Sequence, residues 1–149
     1  MRRLGVRLVP VLALLSAAIV SACSSNSSTG PTVTVAQVVG NYSLVSLVVS
    51  GQAVAGASGQ LGLTSGASAN TGNYVVSLVE PTGPCSADTI ADTGTFTVTG
   101  STWSQTGQTT GTQVGTVKLS NDTLYVVVNT LAGPVTNTWV RLLTGGAHR

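Results

Sequence analysis

From Gly40 onward the apolar residues do not recur at three- and four-residue spacing. They fall in short β-branched runs cut by Gly, Asn and Pro. Such runs cannot lay an apolar stripe along a helix, but they suit the pleated, half-buried surface of a strand. The spacing predicts about eight strands, over residues 40–50, 60–64, 73–79, 93–99, 102–105, 112–119, 123–129 and 135–143. Alternation is plain in several. Phe96 and Val98 fall on one face and Thr95, Thr97 and Thr99 on the other; Val117 and Leu119 oppose Thr116 and Lys118. In Leu124–Asn129 both faces are largely apolar, as expected of a well-covered strand.

The turns order these strands. Gly100-Ser101 and Asn121-Asp122 sit at hairpin spacing and have turn chemistry. Many short strands joined by tight turns predict an all-β, antiparallel up-and-down meander, and a meander of this length removes its exposed edges by closing into a barrel. The alternative is an immunoglobulin-type β-sandwich, but its Cys…Trp…Cys framework is missing. A membrane-spanning barrel fits less well, because the strands are short for a bilayer and no aromatic girdles flank them.

In a meander, alternate connections share an end. Residues 51–59, 80–92, 106–111 and 130–134 then lie at one end, and 65–72, 100–101 and 120–122 at the other. The segment leading into the first strand enters at the tight-turn end. The expected shape is a cup whose mouth faces away from that segment.

The N-terminus carries an address. Arg2, Arg3 and Arg7 precede an apolar run from Leu8 to Val20, followed by Val20-Ser21-Ala22-Cys23. A charged n-region, an apolar h-region and small residues at its end make a signal peptide. The run is shorter than the roughly 20 residues that span a bilayer. The four residues before and including the cysteine resemble the lipobox of bacterial lipoproteins. That resemblance implies a signal peptide over 1–22 and lipidation of Cys23. It also implies a lipid-anchored product in the cell envelope. Ser24, in place of an acidic residue, points to the outer membrane by the same resemblance. Residues 23–37 are expected to form a Ser/Asn-rich tether, with an r.m.s. reach of about 17 Å for its first ten residues. The domain is expected over 38–144 and a disordered tail over 145–149.

Without the signal, Lys118, Arg141 and Arg149 face Glu80, Asp88, Asp92 and Asp122, a side-chain net charge of −1. Nucleic-acid binding needs clustered cations to displace counterions, and three scattered ones do not supply them. The basic character of the full chain belongs to its first seven residues.

At the level of the whole domain the chain resembles a small bacterial lipocalin-like lipoprotein. The residues that carry the likeness are Gly40-Asn41-Tyr42-Ser43-Leu44, Asp92-Thr93-Gly94-Thr95-Phe96-Thr97-Val98, Gly115-Thr116-Val117, Asp122-Thr123-Leu124 and Trp139-Val140-Arg141. They spread over most of residues 38–143 and are mostly Gly, Thr and aliphatics. Lipocalins usually open the first strand with Gly-x-Trp, and an Arg of the last strand packs over that ring; here Tyr42 stands at the Trp position. The resemblance implies that Tyr42 and Arg141 meet at the closed end of the barrel, a cation–π contact with a structural role.

Little else carries chemistry. His148 lies in the tail, where a general base has no fixed position. No Gly-x-Ser-x-Gly elbow, Cys-x-x-Cys, His pair or phosphate-binding loop is present. No catalytic residue, metal ligand set or cofactor is assigned, and the chain is expected not to be an enzyme. One concentration stands out. Glu80, Cys85, Asp88 and Asp92 share what the spacing makes the longest loop, the best candidate for a specific site. A Ca²⁺ site there would lack the Asp-x-Asp-x-Asp-Gly spacing, and the acidic neighbours argue against a reactive thiolate at Cys85. Trp103 and Trp139 are read as core or barrel-wall cover, with the lining of a ligand cup as the functional reading. Two roles remain: a carrier of a small apolar molecule inside the barrel, or a structural or protein-interaction lipoprotein with a filled barrel. Interior volume separates them.

Overall fold

Wherever β-branched residues alternate with Thr, Ser and Gly the chain is a strand, and most strands run past the ends that apolar alternation marks. The computed structural model describes residues 32–83 and 86–143. A short helix, α1 (Val35–Val38), precedes β1 (Gly40–Val49), β2 (Gln52–Ala53), β3 (Ser58–Ser65), β4 (Thr71–Gly83) and β5 (Ser86–Thr99). There follow β6 (Thr102–Gly107), β7 (Gly111–Ser120), β8 (Thr123–Thr130) and β9 (Gly133–Arg141).

From β3 to β9 each strand pairs antiparallel with the next, β3 pairs with the first half of β1, and β9 returns to β1. The last pairing runs from Tyr42↔Arg141 to Val49↔Val135. Eight strands therefore close an up-and-down barrel, and closure leaves no sandwich. Strand β2 is an addition: Val48↔Ala53 and Val49↔Gln52 cover the stretch of β1 that β3 does not reach. The turns have the chemistry that hairpins demand. Gly100 has φ +64° and Asn121 has φ +52°, values that Gly and Asn adopt at little cost.

A bulge between Leu44 and Ser46 sets which side chains of β1 enter the barrel. Before it Tyr42 is buried; after it Leu47 is buried, and Val45, the extra residue, is 60% exposed. One inserted residue moves the inward set from even to odd positions, as the two-residue period of a strand requires.

The core fills the tight-turn end. Tyr42, Leu63, Phe96, Val98, Val117 and Leu124 pack there, joined by Val33, Val35 and Val38 from the entering chain. Phe96 and Trp103 stack with centroids 4.6 Å apart and planes 9° from parallel. Helix α1 closes this end. Thr34 and Gln37 cap it reciprocally, and the Val33 N–H donates to the Gly100 carbonyl.

Two expectations need correction. The packed domain begins at Val33 rather than residue 38, because three valines in 33–38 bury themselves in the barrel end. Residues 33–37 are thus plug rather than tether. The segment 80–92 is no loop: β4 and β5 continue as a hairpin arm through Val79↔Thr89, Glu80↔Asp88 and Pro81↔Ala87. The side chains of Ser86 to Ala91 are exposed, so no alternation of burial marks the arm in the sequence. Pairing there is held by main-chain hydrogen bonds, and the ladder slips where Pro81 interrupts it, between Pro81 and Gly83.

Candidate functional site

Above the packed floor the barrel is hollow. A cavity of about 310 Å³ lies between the walls. Its apolar lining includes Leu47, Leu61, Val76, Val126, Val128 and Trp139, and Trp103 also borders it. It reaches Thr110, Thr130 and Ala132, which belong to the end carrying the β6–β7 and β8–β9 connections. The mouth therefore lies opposite α1, and the segment that enters β1 enters at the floor.

The cavity wall also carries polar groups, each placed by strand parity. Tyr74, Val76, Leu78 and Glu80 of β4 face inward, and their register partners on β5 are Gly94, Asp92, Ile90 and Asp88. Asp92 is 4% exposed. Its Oδ2 accepts hydrogen bonds from the Tyr74 hydroxyl at 2.9 Å and the Thr110 hydroxyl at 2.5 Å. Its Oδ1 accepts from the Thr93 and Thr109 N–H groups, both at 2.9 Å. Burial raises the pKa of this carboxyl, but the donors, led by Thr110, outweigh it and hold the group at about 2. Burial first, and then the carboxylate beside it, pushes the Tyr74 hydroxyl up to about 12. The result is a latch. An ionised carboxylate on β5 holds residues 109–110 of the β6–β7 connection against the mouth.

Gly107 makes room for it. A Cβ on Gly107 would fall onto Asp92 Oδ2 and the Tyr74 hydroxyl. A Cβ on its register partner Gly94 would fall onto the Thr106 carbonyl.

A second polar line runs across β6 and β7. Trp103 Nε1 donates to Gln105 Oε1 at 2.8 Å, and Gln105 Nε2 donates to Gln113 Oε1 at 2.9 Å. Opposite, Asn137 lies between its register partners Leu47 and Val126. Its Oδ1 is buried without a hydrogen-bond partner.

The floor holds Tyr42 and Arg141. They are register partners on β1 and β9. The guanidinium carbon lies 5.3 Å from the ring centroid, Nη2 donates to the Tyr42 hydroxyl at 2.7 Å, and the hydroxyl donates to the Val38 carbonyl at 2.7 Å. Arg141 also donates to the Gln37 carbonyl. The pair joins α1, β1 and β9, and the Tyr42 hydroxyl is raised above its ordinary pKa mainly by burial, against the opposing pull of Arg141.

Of the residues grouped in sequence as one loop site, the structure separates three. Asp92 is buried in the latch, Glu80 lines the cavity, and Asp88 is exposed on the arm. Cys85 and the lipidation candidate Cys23 lie outside the described residues. Among the described residues no group of three or more His, Cys, Asp or Glu is placed to hold a metal ion. Sequence reasoning missed Tyr74, Thr109, Thr110 and Gly107. A signal existed: Asp92 stands in phase with Phe96 and Val98, and an acid in phase with an inward apolar set is an inward acid.

No protein-family model matches the chain, and no curated protein does. Two solved structures are similar in shape. The fluorescent protein UnaG in its N57A mutant form aligns with 11% identity and a TM-score of 0.43, over 72% of this chain and 98% of that one. Wild-type UnaG aligns with 8% identity and a TM-score of 0.41, over 72% and 99%.

Proposed function

We propose that this chain is a non-catalytic, lipid-anchored envelope lipoprotein whose lipocalin-like barrel holds a small apolar molecule. The observation that carries the ligand reading is the cavity. About 310 Å³ of mostly apolar interior above a packed floor lies at the lower end of the range for small-molecule sites. A purely structural barrel would close that space, since empty apolar volume costs stability. The anchor rests on Cys23 and the arginine-led apolar run before it. With α1 as the plug, the mouth would face away from the membrane.

Native mass spectrometry of the purified protein tests the carrier reading. A co-purified small molecule is expected, and it should be absent from Val126→Trp, which fills the cavity. A clean apo mass for the wild type, together with no uptake of any apolar probe, would refute it. The anchor is tested separately by metabolic labelling with a fatty-acid probe. Label should mark the wild type and not Cys23→Ser; label on both would reject the lipobox.

A further inference from the structure

The charge on the cavity wall has one sign. Among the described residues, Glu80 and Asp92 line the cavity and no Lys, Arg or His does. The register puts Asp88 on the same face of the hairpin as Glu80. The cations of the described residues stand elsewhere. Arg141 is held at the floor by Tyr42 and Gln37, and Lys118 lies on the outer surface, its Nζ 5.9 Å from the centre of the Tyr125 ring. No cation among the described residues of the wall offsets these carboxylates. A site with low-dielectric walls focuses their field across the mouth.

The two acids differ in what they can do. Asp92 already accepts from Tyr74, Thr93, Thr109 and Thr110, so it contributes charge rather than a free contact. The Glu80 side chain makes no hydrogen bond or ion pair among the described residues, so its carboxylate can meet a ligand. Deeper in, Asn137 has a carbonyl oxygen buried without a partner.

Resting on the carrier reading above, we infer that the ligand is an apolar molecule with a cationic, hydrogen-bond-donating head: an amphiphilic amine rather than a fatty acid or other anion. The apolar part fills the space bounded by Leu61, Val76, Val128 and Trp139. The head stays at the mouth beside Glu80, with Asp92 and Asp88 adding to the field. A carboxylate head in the same place would meet three carboxylates and no cation.

The test compares decylamine, decanol and decanoate at neutral pH, read by the fluorescence of Trp103 and Trp139, which both border the cavity. Decylamine should bind about tenfold more tightly than decanol, and decanoate more weakly than either. Glu80→Gln should bring the affinity for decylamine close to that for decanol in the same variant. Val126→Trp and, as a second filled form, Val128→Phe should lose all three, which separates entry into the barrel from adsorption on its surface. Decanoate binding as tightly as decylamine would overturn the inference and leave the carrier reading standing. So would an amine preference that survives in Glu80→Gln or in the filled variants. If none of the three probes binds and the purified protein carries no small molecule, the carrier reading fails, and the inference with it.

Discussion

The Tyr74 hydroxyl donates a 2.9 Å hydrogen bond to Asp92 Oδ2 from the neighbouring strand, at a site where the aspartate is 4% exposed. The same oxygen takes the Thr110 hydroxyl at 2.5 Å. One carboxylate thus ties β4, β5 and the β6–β7 connection together at the rim of a mostly apolar cavity. A buried carboxylate is tolerated only when its lone pairs are filled, and here four residues fill them.

Replacing that carboxylate by an amide turns one acceptor atom into a donor facing donors. Asp92→Asn should cost about 1–3 kcal/mol. The loss should appear as a lower urea midpoint with an unchanged slope, since the compactness of the two states is not altered. An unchanged midpoint would show that the latch contributes nothing to folding.

The latch also predicts how stability depends on pH. Asp92 is held at about 2, below the ordinary carboxylate value. Its contribution is therefore present above about pH 4 and is lost as pH falls towards 2. Tyr74 is raised to about 12, so its contribution is present below about pH 10 and is lost as pH climbs towards 12. Melting temperatures across both limbs should fall for the wild type. Asp92→Asn should flatten the acid limb and Tyr74→Phe the alkaline one. An acid limb unchanged in Asp92→Asn would assign acid unfolding to other carboxyls.

Gly107 is irreplaceable for a steric reason. A methyl group there competes with Asp92 Oδ2 and the Tyr74 hydroxyl for the same space. Gly107→Ala should destabilise by about 1–3 kcal/mol and free the Thr109 and Thr110 amides, which donate to Asp92 at 2.9 and 3.4 Å. Hydrogen exchange at those two amides reads this directly. Protection equal to that of the wild type would mean that the connection holds without the carboxylate.

How much of this was legible depended on burial. Strands β6 to β9 are runs rich in β-branched residues bounded by turn signals, and the sequence spacing finds them within a few residues. So does the barrel, because Gly100-Ser101 and Asn121-Asp122 dictate tight antiparallel turns. The β4–β5 arm was not legible. Ser86 to Ala91 are exposed at every position, and the two-residue period is a signal of one-sided burial that vanishes when both sides are wet. Helix α1 is one turn long and too short for periodicity. The bulge at Val45 was hidden because Leu44, Val45, Leu47, Val48 and Val49 offer apolar residues in either phase. For the site, Asp92 was singled out for its charge alone, and its partner Thr110 is far in sequence and ordinary in type.

The floor pair gives the last prediction. Arg141 touches Tyr42 in two ways, by its face over the ring at 5.3 Å and by a 2.7 Å hydrogen bond to the hydroxyl. It also reaches the Gln37 carbonyl of α1. A double-mutant cycle separates these contacts. Arg141→Ala should cost about 1–2 kcal/mol through lost stacking, stem packing and the plug contact. Tyr42→Phe keeps the ring and removes only the hydroxyl bonds. The Arg141 loss measured in the Tyr42→Phe background should therefore shrink but persist, since ring and plug contacts remain. Coupling on the order of 0.5–1 kcal/mol is expected between them. If Arg141→Ala cost nothing once Tyr42 is Phe, the hydroxyl would be the whole of the interaction, and the guanidinium would hold neither the ring nor α1.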